Sequence, residues 1–165
     1  MNRNSLVAIL KANPNIEWKE RRFNSNEETI LWTKIIVYKS LAGTQHSIGL
    51  TVSGFWCSEY SDGFHITNLE NYFSFVTILE MQRKVFLSEF KKCIFELSLP
   101  ENIIYTFPFD ELMLAAMKHG GHWALLAEQW LENGYPLSPQ IIIEFPNHIL
   151  VKRESARRME LITNA

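Results

Sequence analysis

The sequence contains few of the residues on which short catalytic and phosphate-binding motifs depend. Only 7 of its 165 residues are glycine. They form neither a Walker-type loop nor a dinucleotide-binding fingerprint, both of which need closely spaced glycines to bring backbone amides to a phosphate. The nucleophile-elbow and zincin patterns are also missing from the sequence. We therefore expect no catalytic residue and no cofactor, and we predict that the protein is not an enzyme.

Cysteine and histidine are too sparse and scattered to indicate a metal site. The two cysteines, Cys57 and Cys93, lie far apart and lack the spacing of zinc ligands. His119 and His122 flank two glycines, but zinc needs three or four ligands and no second His/Cys pair accompanies them. We expect no bound metal, two reduced cysteines, and a sharp joint between helices at the glycines.

The sequence also lacks long apolar runs and a strong excess of one charge. The apolar run at residues 6–10 is too short for a secretory signal, and no run approaches the ~20 residues of a membrane span. A formal net charge of -2 gives no general attraction to nucleic acid. We therefore expect a cytoplasmic protein that binds neither membranes nor nucleic acid.

Apolar and aromatic side chains are plentiful. Hydrophobic residues make up 47% of the chain and aromatic residues 13%, which is enough for a well-filled core. No repeat, low-complexity tract or Pro/Gly/Ser-rich linker interrupts the sequence. These features predict a single domain over residues 1–165.

The first half of the sequence favours β-strands. Residues 29–38 are rich in β-branched and aromatic side chains, and we favour a strand there, although Ser25 and Glu28 also fit the capping box of a helix. Residues 46–52 alternate apolar and polar side chains at period two. Turn signals separate these stretches from shorter candidate strands at residues 16–18 and 64–67. An antiparallel meander accounts for all four stretches.

The second half favours helices, because its apolar residues recur at three- and four-residue steps. The helices predicted in this half cover residues 79–97, 110–119, 122–132 and 152–161, and one further short helix is predicted near the start of the chain, at residues 5–12. The sequence therefore predicts an α+β fold with an antiparallel sheet of three to five strands, mainly in the N-terminal half, packed against several helices, mainly in the C-terminal half.

Two alternative functions stay open at this point. Cys57 and His65, with Asp62 between them, contain the residue types of a small cysteine-dependent hydrolase or transferase. Lys152, Arg153, Arg157 and Arg158 would lie on one basic C-terminal helix, as in a nucleic-acid-associated regulator, although Glu154 pairs naturally with Arg158 on a solvated face.

The most distinctive segment is residues 121–136, with the sequence GHWALLAEQWLENGYP. It forms an amphipathic helical pattern with Trp123 and Trp130 seven residues apart and a glycine stop. The segment resembles parts of small bacterial immunity proteins of contact-dependent and polymorphic toxin systems. The resemblance implies a cytoplasmic, non-enzymatic protein that binds and neutralises one cognate toxin domain.

Candidate partner-binding residues follow from that implied role. A basic, nuclease-like toxin would be steered by exposed carboxylates, and aromatic side chains near a turn would provide binding anchors. The candidate residues are Glu27, Glu28, Trp56, Tyr60, Asp110, Glu111, Glu128 and Glu132.

Overall fold

Five antiparallel strands form a meander in the N-terminal part of the chain, in the order β1-β2-β3-β4-β5. The computed structural model describes residues 1–23, 28–60, 63–67, 72–148 and 152. The strands are β1 (Lys19–Phe23), β2 (Glu28–Lys39), β3 (Gln45–Thr51), β4 (Trp56–Tyr60) and β5 (Gly63–Ile66). With helices mostly in the C-terminal half, the sheet confirms the predicted α+β class and its count of three to five strands.

Strand β2 resolves the ambiguity over residues 29–38 in favour of the predicted strand. A bulge interrupts its pairing with β3 between Lys34 and Ile36. The extra residue turns Ile35 inward beside Ile36, and the two are 5% and 2% exposed. A β-bulge thus accounts for consecutive apolar residues in a strand that would otherwise alternate.

The helices are α1 (Arg3–Ala12), α2 (Arg83–Glu96), α3 (Phe109–His119), α4 (Gly121–Glu132) and α5 (Pro139–Glu144), with 3₁₀ segments at Tyr72–Glu80 and Glu101–Thr106. The Asn2 side chain caps α1 by accepting from the Ser5 amide at 2.9 Å. Gly120 and Gly121 have φ of 76° and 56°, so the predicted sharp joint between α3 and α4 is confirmed.

Two sequence-based boundaries were wrong. Residues 16–18 precede β1 rather than forming a strand, because the Ile16 amide still bonds to the Asn13 carbonyl at 3.2 Å in the turn after α1. The helix predicted from Leu79 begins at Arg83, since Leu79 belongs to the preceding 3₁₀ segment. Helix α5 and both 3₁₀ segments were not predicted.

Three other sequence predictions fall largely on positions outside the described residues. They are the alternative capping box at Ser25, the turn signal at residues 61–62, and the C-terminal helix, of which only Lys152 is described.

Each face of the sheet packs against a different apolar cluster. On one face, Trp56 of β4 packs edge-on against Phe90 of α2 with ring centroids 5.6 Å apart. On the other face, Trp32, Cys57 and Ile66 form a smaller cluster. Gly49 of β3 lies beneath Trp32, because a Cβ built on Gly49 would stand 2.7 Å from Trp32 Cε3 and 2.0 Å from the Thr33 carbonyl oxygen.

The chain divides into two compact units, Met1–Pro108 and Phe109–Ala165. In the second unit α3 packs against α4 and α5, and Trp130 lies 6.3 Å from Phe109 between ring centroids. The single domain over residues 1–165 stays a prediction. Among the described residues no helix has the length and apolar character needed to cross a bilayer.

Candidate interaction surfaces

Charge is distributed unevenly along the sequence. Residues 1–108 contain eleven acidic and eleven basic side chains, residues 109–148 contain five carboxylates, one lysine and no arginine, and residues 149–165 contain two carboxylates and four basic side chains. Helices α3 and α4 hold four of these carboxylates: Asp110 and Glu111 lie in the first turn of α3, and Glu128 and Glu132 lie one turn apart on α4. Helices α3, α4 and α5 therefore lie in an acidic stretch, residues 109–148, which a more basic segment follows in the sequence.

Asp110 has a fixed orientation at the start of α3. Its carboxylate accepts a hydrogen bond from the Tyr135 hydroxyl, and the tyrosine ring lies 6.4 Å from Trp130 between centroids. A carboxylate at this position also benefits from the positive end of the helix dipole. Asp110 is thus partly buried and held in place by its neighbours.

Two further carboxylates of the helical unit have partners. Glu128 Oε1 lies 2.7 Å from His148 Nε2. Glu144 forms an ion pair with Lys118, and the hydrogen bond from that lysine lowers the pKa of Glu144. Glu111 is half-buried and Glu132 is exposed. Of the four candidate partner-binding carboxylates on α3 and α4, Glu111 and Glu132 are thus the two without a hydrogen-bond partner among the described residues.

The other predicted partner-binding residues lie in the sheet region. Glu27 falls outside the described residues, and Glu28 is the first residue of β2. Trp56 is only 3% exposed, and its indole Nε1 donates to the Thr106 carbonyl oxygen at 2.9 Å. Trp56 is thus a core residue that presents almost no surface to a partner, whereas Tyr60 is half-buried.

Tyr60 belongs to a column of stacked rings that the sequence reading missed. Tyr38, His46, Tyr60 and His65 come from four successive strands, with ring centroids 5.3, 5.5 and 5.1 Å apart. The Tyr60 hydroxyl lies 2.8 Å from His65 Nε2. The alternation of side chains along a strand predicts which face of the sheet each ring lies on. The alignment of the four rings depends on the register between strands, which the sequence pattern does not give.

The buried end of this column contains unpartnered polar atoms. His46 Nδ1 and, two residues before Tyr60, Ser58 Oγ are buried without a hydrogen-bond partner among the described residues. Burial lowers the pKa of His46, and the nearby Glu80 carboxylate opposes that shift. An imidazole in this setting stays neutral more readily than one in water.

The structure does not bring Cys57 and His65 together. Cys57 pairs with Ile66 across β4 and β5, while His65 pairs with Ser58. Directly paired residues share a face and neighbours along a strand alternate, so the two side chains point to opposite faces. Burial raises the pKa of Cys57 well above its usual value, and the Glu59 carboxylate adds to the rise. Cys57 is therefore a core thiol that resists the ionisation a nucleophile requires, and Asp62 lies outside the described residues.

Glu59 lies on the same face as Cys57, between two cations. Lys34 Nζ is 2.8 Å from Glu59 Oε2, and Arg21 pairs with the other oxygen. Burial alone raises the pKa of Glu59, but the hydrogen bonds from Lys34 and Arg21 outweigh it and hold the pKa below its usual value. Because Arg21 lies on β1 and Glu59 on β4, their ion pair links two strands that are not neighbours in the sheet.

His119 and His122, at the joint between α3 and α4, are not part of a larger cluster of metal-binding side chains among the described residues. His119 ends α3 and His122 lies in the first turn of α4. In the part of the chain that the structure describes, no three His, Cys, Asp or Glu side chains converge.

A second surface that the sequence reading missed lies on α2 and the 3₁₀ segment Glu101–Thr106. Phe95 is 83% exposed and Tyr105 81% exposed, the two highest values among the exposed large hydrophobic residues described. The signal for Phe95 was present in the sequence. Phe86, Phe90 and Ile94 follow one another at four-residue steps, and Phe95 falls about 100° away from that buried stripe.

Comparison of the chain with protein-family models, with curated proteins and with solved structures gave no match. The similarity of residues 121–136 to immunity proteins therefore remains a prediction from the sequence.

Proposed function

We propose that the chain is a protein-binding module of the toxin-immunity kind, acting in the bacterial cytoplasm, whose cognate toxin domain has a cationic surface. The observation that carries the proposal is the composition of residues 109–148, with five carboxylates and one lysine. Surfaces of opposite charge attract each other during encounter and disfavour partners of the wrong sign. The acidic stretch of residues 109–148 is therefore suited to covering a basic cleft.

The way these carboxylates are held supports the proposal. Asp110 is fixed by Tyr135, and α3 packs directly against α4. A charged group that is already oriented loses little conformational freedom when a partner binds. The carboxylates of α3 and α4 are thus placed on rigid elements rather than on loops.

The carboxylates differ in how readily they can meet a partner. Glu132 and Glu111 keep their oxygens available within the described residues, so we expect them to contact cations of the toxin first. Glu128 would have to exchange its contact with His148, at 2.7 Å, for a contact with the partner. The expected contribution to binding therefore decreases from Glu132 and Glu111 to Glu128.

The state of the cysteines is compatible with the proposed compartment. Both Cys57 and Cys93 are free thiols, and Cys57 is buried. Free thiols persist most readily where the environment is reducing, as it is in the cytoplasm.

A direct test is to measure binding to the protein encoded by the adjacent upstream gene, purified with an inactivating substitution. Biolayer interferometry should give an association rate that falls steeply with added salt, since steering between opposite charges is screened by ions. We expect the double variant Glu111→Lys with Glu132→Lys to weaken binding by about tenfold or more.

The matched control is Glu20→Lys, because Glu20 is exposed on β1 outside the acidic stretch. The control should leave the affinity within about twofold of wild type, as surface charges far from an interface contribute little. No binding at micromolar concentration, or an equal loss in the Glu20 variant, would contradict the proposal.

A further inference from the structure

The column of four stacked rings runs from the core to half-buried positions. Tyr38 and His46 are each 7% exposed, whereas Tyr60 and His65 are half-buried. The Tyr38 hydroxyl lies 2.8 Å from Thr77 Oγ1, which ties the buried end of the column to the first 3₁₀ segment. Water therefore reaches the column more readily through its Tyr60 and His65 end.

His46 is the buried ring of the column that can gain a charge near neutral pH. Its centroid lies 5.3 Å from that of Tyr38 and 5.5 Å from that of Tyr60, and its Nδ1 atom is buried without a hydrogen-bond partner among the described residues. A neutral imidazole can leave one nitrogen as an unpaired acceptor, but a protonated one has an N–H donor at both nitrogens. Protonation would thus place an unpaired donor and a positive charge in the core.

Glu80 is the carboxylate that acts on His46 from the neighbouring 3₁₀ segment. Burial of the imidazole lowers the pKa of His46, and the charge of Glu80 raises it by a smaller amount. The Leu41 amide donates to Glu80 Oε2 at 2.6 Å, so the carboxylate is held at the turn after β2. Helix α2 contributes an uncharged ring to the column, since Phe86 lies 6.3 Å from Tyr38 between centroids. Glu80 therefore reduces the cost of a charge on His46 without removing it.

The titratable rings on the neighbouring strands belong to the column itself. Tyr38 on β2 stays neutral, because burial raises its pKa well above the usual value. Tyr60 on β4 separates His46 from His65 on β5, and its hydroxyl lies 2.8 Å from His65 Nε2. The His65 ring lies over Gly63, where a Cβ would stand 2.6 Å from Nε2. The half-buried end of the column is thus a tyrosine–histidine pair on the last two strands of the described sheet.

Acid should destabilise the packing around His46. Its folded-state pKa lies below the unfolded value of about 6.5, so a chain in which the ring is open to water binds a proton more readily than the closed one. The stability that depends on the neutral ring is present above about pH 6.5 and is lost as the pH falls through the folded value. Water satisfies the protonated ring once Tyr60 and His65 move away from it.

We propose that the column is an acid-sensitive latch, in which protonation of His46 releases Tyr60 and His65 and opens the β4–β5 end of the sheet, while a neutral imidazole keeps it closed. Openings of part of a fold require less free energy than global unfolding, and β5 has only four residues and one neighbouring strand. The latch uses no carboxylate of α3 or α4, so it is independent of the proposed toxin binding.

Hydrogen exchange on the full chain, followed by NMR, tests the latch. After correction for the intrinsic pH dependence of exchange, the protection of β4 and β5 amides should fall at least about fivefold between about pH 7.5 and about pH 5.5, whereas amides of α4 should keep their protection. Both pH values lie above the unfolded carboxyl pKa values of about 4, so protonation of Glu59 contributes little to the change.

A ring without a titratable nitrogen separates protonation from packing. His46→Phe keeps an aromatic ring between Tyr38 and Tyr60, and the loss of protection at the lower pH should disappear in this variant. The matched control is His122→Gln, because His122 is exposed at the start of α4. The control should lose protection in β4 and β5 to the same extent as the wild-type chain.

An NMR titration of the imidazoles tests the same latch with His46 in place. The pKa of His46 should lie below that of the exposed His122, because the two rings differ in burial. Glu80→Gln keeps an oxygen acceptor for the Leu41 amide but removes the negative charge, so it should lower the pKa of His46 further.

Three outcomes would overturn the latch. The first is unchanged protection of β4 and β5 at the lower pH, and the second is a wild-type loss of protection in His46→Phe. The third is a His46 ring that titrates no lower than His122. Circular dichroism checks that His46→Phe is folded, and the titrations of the wild-type chain and of Glu80→Gln decide the question if it is not.

Discussion

Residues 1–108 have equal numbers of acidic and basic side chains, whereas residues 109–148 have five carboxylates and one lysine. In the sheet region Glu59 lies between Arg21 and Lys34 and is 13% exposed, so its charge serves the fold. In the helical region Glu132 is exposed, and no ion pair within the described residues neutralises it. A charge can therefore serve the fold, as Glu59 does, whereas for the exposed Glu132 we propose a role in recognition.

The same contrast applies to residue types that suggest chemistry. Cys57 and Trp56 lie in the sheet region and are 0% and 3% exposed. Because a nucleophile or a binding anchor has to reach solvent, their burial assigns them to packing. Among the described residues, Glu132, Phe95 and Tyr105 are exposed and so accessible to a partner.

The largest expected effect comes from removing a buried ring of the sheet region. Trp56→Ala should lower the free energy of unfolding by about 4 kcal/mol, through the cavity it leaves beside Phe90 and the lost hydrogen bond to Thr106. Urea unfolding followed by circular dichroism measures this change. The control Phe95→Ala, at an exposed ring, should change the free energy by less than about 0.5 kcal/mol. Equal losses in the two variants would remove the distinction between buried and exposed aromatic residues.

A smaller effect is expected from glycine substitutions, one in each region. Gly49→Ala places a Cβ 2.0 Å from the Thr33 carbonyl oxygen and should cost about 3 kcal/mol, because two paired strands have to separate. Gly134→Ala has open space around it but a φ of 85°, so it should cost about 1 kcal/mol from backbone strain alone. Urea midpoints of the two variants compare the costs. A Gly134 variant less stable than the Gly49 variant would contradict the tight β2–β3 packing.

The smallest effect is expected from the paired carboxylates and their dependence on pH. The folded-state pKa of Glu59 is lowered, so its stabilisation is present above the unfolded pKa of about 4.3 and is lost as the pH falls through the lower folded value. Glu59→Gln should cost about 1.5 kcal/mol at neutral pH, since two cations lose a charged acceptor.

Urea midpoints recorded from neutral to acidic pH test this prediction. In the Glu59→Gln variant, the urea midpoint should fall less steeply with decreasing pH than it does in the wild-type chain. The control Glu144→Gln removes a carboxylate with a single lysine partner on the surface and should have the smaller effect. A larger loss of unfolding free energy in the Glu144 variant than in the Glu59 variant would contradict the prediction that the ion pairs of Glu59 in the sheet region stabilise the fold more.

Much of the fold follows from local patterns. Strand β2 was predictable because β-branched residues are dense from Thr29 to Val37, and α4 because its apolar residues recur at helical steps before Asn133 and Gly134. Helix α5 escaped prediction, although Ser138 caps it and Pro139 occupies its first turn. Its six residues are too short for a periodic pattern to emerge.

Less of the candidate site was predictable. The carboxylates Asp110, Glu111, Glu128 and Glu132 were identified from the sequence as residue types, and their role in binding stays a prediction. The partners of Asp110 and Glu128 are Tyr135 and His148, which lie 25 and 20 residues further along the chain. A local pattern contains no information on contacts over that separation.

The sequence by itself determined the α+β class and the approximate positions of its main strands and helices, because periodicity is a property of neighbouring residues. Only the tertiary structure decided that Cys57 and His65 point to opposite faces, that Trp56 is buried and that Tyr105 is exposed. Those outcomes depend on strand register and on which helix face meets the sheet. Both are set by contacts between residues far apart in the chain.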